Sequence, residues 1–368
     1  MKFNTIYFLV FILINVSCSK NDDFGKAVKT IYLKETKDIL PISSFIKKLD
    51  YLELSFQADE ISIGKIEGIK NIGNEIIIKQ RKARETSYLR FSKDGVFKNI
   101  IAQRGNEIDV FKDIIKYNKD FAVWGETGIH IISGTGKYKK KLFELDVPGN
   151  SFFYSKNKFF LFHESVSPGY LSRYNSNGKQ EKVYFPNENQ TTNSGYSNIS
   201  MLGKDNYQFF SPLIDTVFAF SENKLIPKYR VDGSPFPTFI QILENVGDLD
   251  RLETLKYINN NQHVVIKNYL ENRNYIFITY WVGSISNNLI INKKSWQTTY
   301  FDKAINDIDG GIWGTPLYLS DDDILYIPIN SSRIGSHKIL NKRKRGFVKL
   351  KEKNQVGDNS IIMRCKLK

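Results

Sequence analysis

Tyr117-Asn118-Lys119-Asp120-Phe121-Ala122-Val123-Trp124-Gly125-Glu126-Thr127-Gly128-Ile129-His130-Ile131-Ile132-Ser133-Gly134-Thr135-Gly136 contains most of one repeating unit. A polar Asn/Lys/Asp turn precedes a continuous apolar run. A second apolar run follows and ends in a glycine-rich hairpin turn. The same order recurs six times. The apolar runs begin at Ile76, Phe121, Phe159, Tyr207, Tyr275 and Ile324, with spacings of 45, 38, 48, 68 and 49 residues. Four-stranded propeller blades repeat at about 40–50 residues. The long fourth interval therefore holds an insertion, placed at about residues 233–262. There Ile240-Gln241-Ile242-Leu243-Glu244 and Leu252-Glu253-Thr254-Leu255 look more helical than the rest of the chain.

Five of the six units carry a later hairpin: Ser92-Lys93-Asp94-Gly95, Gly134-Thr135-Gly136, Asn175-Ser176-Asn177-Gly178, Glu222-Asn223-Lys224 and Asn292-Lys293-Lys294-Ser295. Gly95, Gly136 and Gly178 lie 41 and 42 residues apart. Asp-Gly and Asn-Gly supply the positive φ of a tight hairpin. Each unit thus reads as an antiparallel four-stranded sheet. Inner strands buried on both faces lose polar alternation and become continuous apolar runs. The fold class read from this is all-β, a six-bladed β-propeller with a small, partly helical insertion. Both ends are strand-like, Lys29-Thr30-Ile31-Tyr32-Leu33 and Ile361-Ile362-Met363-Arg364-Cys365-Lys366-Leu367, and are expected to join in one closing region.

Composition agrees. The 368 residues are 41% hydrophobic, with 26 Phe and 20 Tyr against 3 Met, a bias toward strands. Two cysteines exclude a disulfide-dense scaffold or cysteine-rich zinc site. Four histidines leave little material for a multi-histidine metal centre.

The N-terminus carries targeting information. Residues 6–14 form an apolar run of 9 residues after Met1 and Lys2. A spanning helix needs about 20, so the run reads as the core of a signal peptide over residues 1–17. Asn15-Val16-Ser17-Cys18 resembles the lipobox of bacterial lipoproteins, which implies cleavage before Cys18 and its lipidation. An ordinary secretory signal with an incidental cysteine is the alternative. Ser19-Lys20-Asn21-Asp22-Asp23 resembles the Lys-plus-acidic export signal of Bacteroidota surface lipoproteins, with Lys20, Asp22 and Asp23 as its residues. A plain polar tether over residues 18–28 is the alternative. Removing residues 1–17 takes the formal charge from +14 to +13.

The domain, residues 29–368, resembles the six-bladed β-propeller lipoproteins of Bacteroidota. Three segments carry this: Phe210-Ser211-Pro212-Leu213-Ile214-Asp215-Thr216-Val217-Phe218 with Leu225-Ile226-Pro227-Lys228-Tyr229-Arg230-Val231-Asp232; the hairpin Tyr88-Leu89-Arg90-Phe91-Ser92-Lys93-Asp94-Gly95-Val96-Phe97; and the closing strand. The family's Gly-x-Gly-Pro-x-Glu loop is replaced by Gln103-Arg104-Gly105-Asn106-Glu107-Ile108-Asp109-Val110-Phe111. The resemblance implies the fold and an envelope location, not an activity.

No catalytic or metal site is assigned, and no cofactor. His130 and His163 fall at different places in their units, and His263 and His337 are isolated. Asp321-Asp322-Asp323 occupies a turn slot rather than an alternating calcium loop. Asp215-Thr216 reads as a turn cap. Asn341-Lys342-Arg343-Lys344-Arg345-Gly346 is the densest basic run; a solvated loop is its default reading, and membrane or acidic-glycan contact the alternative. Trp281, Trp296 and Trp313, with Tyr280 and Tyr300, either stack on sugars or fill the wedge between blades.

The functional expectation is a lipid-anchored envelope protein of the outer membrane, more at the cell surface than on the periplasmic face. It is a non-enzymatic binding module for a glycan, peptide or envelope protein at the mouth of the ring, does not bind nucleic acid, and is a monomer. A hydrolase or lyase at the central channel is the alternative, and a scaffold for partner proteins a third reading.

Overall fold

The computed structural model describes residues 28–56, 63–83, 85–105, 108, 110–145, 149–163, 171–184, 198–201, 207–210, 216–221, 224–237, 253, 256, 263–337, 345–353 and 360–368. The chain opens with β1 (Lys29–Tyr32), β2 (Ile39–Pro41) and β3 (Ile46–Glu53). Blade one is β4 (Lys65–Ile72), β5 (Glu75–Lys82), β6 (Glu85–Ser92) and β7 (Phe97–Gln103). Blade two is β8 (Phe111–Tyr117), β9 (Asp120–Gly125), β10 (Gly128–Ile132) and β11 (Tyr138–Glu144). Blade three is β12 (Gly149–Ser155), β13 (Lys158–His163), β14 (Leu171–Asn175) and β15 (Gln180–Tyr184). Blade four is β16 (Asn198–Met201), β17 (Tyr207–Phe210), β18 (Thr216–Ser221) and β19 (Lys224–Asp232). Blade five is β20 (Val264–Glu271), β21 (Tyr275–Val282), β22 (Ile285–Asn292) and β23 (Gln297–Phe301). After β24 (Lys303–Ile305) come β25 (Tyr318–Leu319), β26 (Ile324–Ile329), the helices α1 (Ser331–Ser336) and α2 (Arg345–Lys353), and β27 (Ile361–Leu367).

The six apolar runs are the second strands of the six blades, and their composition has a direct cause. Phe159 and Leu161 enter the core between blades two and three, while Phe160 and Phe162 enter the core between blades three and four. Likewise Ile276 and Ile278 pack toward blade four, and Phe277 toward blade six. A continuous apolar run is therefore two interleaved period-two patterns, each serving a different interface. Six apolar clusters fill the six interfaces of the ring.

The periodic glycines do a shared job. Gly95, Gly136 and Gly178 have φ of +83°, +86° and +79°. A Cβ on each would lie 2.3 Å from the Glu53 carbonyl oxygen, 2.2 Å from that of Ile100 and 2.5 Å from the Phe143 Cβ. Each contact is with the outer strand of the preceding blade. The hairpin glycine thus sets both the turn and the approach of neighbouring blades.

Closure explains why only five later hairpins occur. Blade six has the order β25-β26-β27-β3, so its third strand is C-terminal and its fourth N-terminal. No hairpin can join them. The expected partner of the closing strand is corrected here. β27 pairs with β3, Ile361 opposite Glu53 through Leu367 opposite Ile46, and not with Lys29–Tyr32. β1 instead adds a fifth strand to blade four, parallel to β19. The physical reason is the outermost position of the fourth strand. One of its faces is solvated, so the mixed Ile46-Lys47-Lys48-Leu49-Asp50-Tyr51-Leu52-Glu53 suits it.

From β1 the chain straps blade five to its neighbours. The Tyr280 hydroxyl donates to the Lys34 carbonyl at 2.6 Å, the Thr36 amide to Asn287 Oδ1 at 2.9 Å, and the Asp302 amide to the Asp38 carbonyl at 2.9 Å. β2 then pairs in parallel with β24. Of the expected insertion, residues 233–237 are described, and Glu253 and Lys256 are helical. The helices α1 and α2, between β26 and β27, have no counterpart in the sequence reading. Cys365 is buried in β27, and burial pushes its thiol pKa up.

Candidate functional site

The alternation of strand direction gives the ring two unlike ends. Hairpins joining first to second and third to fourth strands gather at one end. The other end, the mouth, takes the connections between blades and those joining second to third strands. Of the described residues, 104–105, 108, 110, 233–237, 263, 302–317, 330–337, 345–353 and 360 belong to the mouth.

The inner strands carry a recurrent irregularity near the mouth. Glu67, Lys112, Asn150 and Lys267 are each extra residues in the pairing of first with second strand. Such bulges bend a strand and re-aim its side chains. The residue after the bulge reaches the next blade in two cases. Asp113 accepts from the Phe152 amide at 3.2 Å, and Asn268 Nδ2 donates to the Pro316 carbonyl at 2.6 Å. Asp113 also pairs with Lys70 at 2.5 Å, so it ties blades one, two and three at the channel. Lys79 Nζ donates to the Lys112 carbonyl at 2.9 Å, and burial lowers the Lys79 pKa against the opposing pull of Asp113.

Lys267 Nζ stands 4.4 Å from the centroid of the Trp281 ring, and Trp281 is 43% exposed. Burial lowers the Lys267 pKa. A cation held over an indole is worth about 0.5–1 kcal/mol at an exposed site. Below it, Thr279 Oγ1 lies 3.1 Å from Asn288 Oδ1, and Asn288 Nδ2 donates to the Asp302 carbonyl at 3.3 Å. This pairing offers an aromatic face for stacking beside a cationic hydrogen-bond donor.

The other aromatics of the predicted cluster pack. Tyr280 is fully buried. Tyr300 donates to the Tyr32 carbonyl at 2.8 Å under Lys34. Trp296 packs on Tyr229 beneath Lys29, and Trp313 stands edge-on to Phe45.

The histidines do not meet. His130 is buried facing blade one, its ring 6.0 Å from that of Tyr138. Burial, with Lys141 acting in the same direction, pushes its pKa down to about 4. His163 stands edge-on to Trp124. His263 precedes β20, its carbonyl accepting from the Gly283 amide. His337 Nε2 lies 3.1 Å from the Gly310 carbonyl. Among the described residues no group of three or more His, Cys, Asp or Glu could hold a metal. Asp321-Asp322-Asp323 forms the turn between β25 and β26. Asp323 accepts from Asn272 at 2.9 Å and Asn274 at 3.0 Å, binding blade five to blade six. Gln103, Arg104, Gly105, Ile108 and Phe111, from the departed loop, line a cavity of about 280 Å³ between blades one and two.

Cys18, Lys20, Asp22, Asp23, Asp215 and residues 341–344 lie outside the described residues. Arg345 and Gly346 begin α2.

One buried centre escaped the sequence reading. Glu271, at the hairpin end between blades four and five, accepts from Lys293 at 2.6 Å, Lys228 at 3.2 Å and the Tyr229 hydroxyl at 3.3 Å. Tyr269 also donates to it. Burial lowers the Lys228 pKa while Glu271 raises it, and burial raises those of Tyr229 and Tyr269. A single Glu before an Asn-Arg-Asn turn gives no sign in sequence that two lysines converge on it.

No curated protein matches the chain. A protein of Bacteroides fragilis described as exported has the same fold, with a TM-score of 0.76 at 15% identity over 92% of this chain and 100% of its own. A catalytically inactive virginiamycin B lyase of Staphylococcus aureus with Quinupristin aligns over 76% of this chain and 81% of its own, at a TM-score of 0.42 and 15% identity. BamB of Moraxella catarrhalis aligns over 82% and 69%, at 0.35 and 13%. These last two alignments are too loose to bear on function. A family model described as a 6-bladed beta-propeller matches residues 107–326. Its match, the six interface cores and the closing β27–β3 pair together make this chain a member of the 6-bladed β-propeller family.

Proposed function

We propose that this protein is a lipid-anchored envelope protein that binds a glycan at the mouth of its ring without transforming it. The observation that carries the reading is the half-exposed Trp281 with Lys267 over its ring, on a bulged inner strand at the end where the longer connections gather. Aromatic rings expose an apolar face that suits a sugar ring, with polar groups beside it to fix orientation. The exported protein with the same fold supports an envelope location. Among the described residues, no helix is long and apolar enough to cross a membrane. Attachment in this reading is through Cys18, with Lys20, Asp22 and Asp23 directing display at the surface.

Two experiments test it. In the native host, Cys18→Ala moves the protein out of the lipid-anchored membrane fraction; unchanged fractionation ends the anchor. On a glycan array, the native chain retains a defined set of saccharides, and Trp281→Ala loses them by at least about tenfold. Retention unchanged by Trp281→Ala removes the mouth of blade five as the site.

A further inference from the structure

The strand directions and the surface charge together orient the ring. β1 runs parallel to β19, which rises from the hairpin end toward the mouth. Lys29 is therefore the end of β1 nearest the hairpins, and a chain anchored at Cys18 reaches the domain there. Only 11 residue steps separate Cys18 from Lys29, at most about 40 Å of extended chain.

Among the described residues, that same end is cationic over blades two to five. Lys119, Lys156, Lys179, Lys224, Arg273 and Lys294 are exposed on the hairpin turns of blades two to five. Among the described residues, no exposed acid occupies a hairpin turn of those four blades. Asp120, in the blade-two turn, is partly buried and paired with Lys139. Among the described residues, exposed turn acids occur in the blades beside them, Asp94 in blade one and Asp321 and Asp322 in blade six, while Asp205 and Glu222 lie outside the described residues. At the mouth charges of both signs are interspersed, with exposed Glu85 and Glu126 beside exposed Lys65, Lys82 and Lys303. β1 sits at the edge of blade four, within the cationic arc.

We infer that the hairpin face of blades two to five docks on an anionic phospholipid surface, holding the mouth away from the membrane. The inference rests on the lipid-anchor reading. A basic residue near an anionic membrane contributes about 1 kcal/mol, or roughly fivefold in partition. The effect fades within a Debye length, so the short tether matters as much as the charge.

Lysine acetylation read by mass spectrometry tests this on the full chain purified from its membrane fraction. The chain is reconstituted in vesicles of phosphatidylcholine alone and of phosphatidylcholine with phosphatidylglycerol. With phosphatidylglycerol, Lys119, Lys156, Lys179 and Lys224 acetylate several-fold more slowly, while Lys37, Lys65, Lys82 and Lys303 at the other end are unchanged. Raised salt removes the protection. Protection of the mouth lysines, or equal protection at both ends, overturns the orientation. Equal rates in both vesicle types overturn the docking and leave the anchor standing. Failure to float with either vesicle overturns anchor and docking together. If soluble heparin protects the hairpin lysines and phosphatidylglycerol does not, the face reads an acidic glycan and the membrane assignment is wrong.

Discussion

The hairpin end and the mouth end of this ring are built under different constraints. At the hairpin end, turns are short and blades approach closely, so Gly95, Gly136 and Gly178 take positive φ against a neighbouring strand. At the mouth, connections vary in length, inner strands bulge and Trp281 stands half-exposed. In the proposed reading, architecture and attachment concentrate at one end and recognition at the other. Substitutions at the two ends should therefore separate stability from binding.

The largest effect comes from breaking the closure that both ends share. β27 lies between β26 and β3, and its loss strips blade six of its third strand and isolates its fourth. Deleting Ile361–Leu367 and Lys368 should abolish cooperative unfolding by calorimetry. A melting temperature within a few degrees of native would show that the ring does not need this latch.

Glu271→Gln is next. It leaves Lys228 and Lys293 without their buried carboxylate, and breaking a buried pair costs about 3–5 kcal/mol. Denaturant unfolding should show that loss, with saccharide retention unchanged at the mouth. A loss of less than about 1 kcal/mol would place this centre among exposed ion pairs.

The hairpin glycines give a graded comparison. Gly136→Ala brings a Cβ to 2.2 Å from the Ile100 carbonyl oxygen in addition to its positive φ. Gly73 also has positive φ, at +63°, but a Cβ there meets nothing within 4 Å. Gly73→Ala should cost about 1 kcal/mol for backbone conformation alone, and Gly136→Ala clearly more. Equal costs would mean that turn conformation, not blade approach, holds these glycines in place.

The last effect is a pH dependence, confined to acid. His130 has its pKa lowered from 6.5 to about 4, so the unfolded chain binds more protons between those values. Its contribution is present above pH 6.5 and is lost as pH falls toward 4, by up to about 2 kcal/mol after allowance for solvent screening. His130→Gln should flatten the stability curve over that window relative to the native chain. Parallel curves would remove His130 as a contributor.

The same contrast explains what the sequence revealed. Recurrent constraints leave recurrent residues, so the apolar second strands and the hairpin glycines announced six blades. The missing sixth hairpin was visible too, though its meaning was not. Which N-terminal segment closed the ring was not legible. The outermost strand is half-solvated, so Ile46–Glu53, with Lys47, Lys48 and Asp50, looks less strand-like than the β-branched and aromatic Thr30-Ile31-Tyr32. The sites depend on juxtaposition. Lys267 and Trp281 lie on different strands, and Lys228, Glu271 and Lys293 come from two blades. Nothing in their local sequence sets them apart from other surface or turn residues. The aromatic cluster was found as a cluster, but only burial separated Trp281 from the four rings that pack.

The division of labour between the two ends is tested most directly by measuring melting temperature and saccharide retention on one pair of variants, Trp281→Ala and Gly136→Ala. The account predicts that Trp281→Ala loses its ligand and melts as the native chain does, while Gly136→Ala melts earlier and keeps its ligand. A Trp281→Ala chain that binds normally and unfolds early would contradict it.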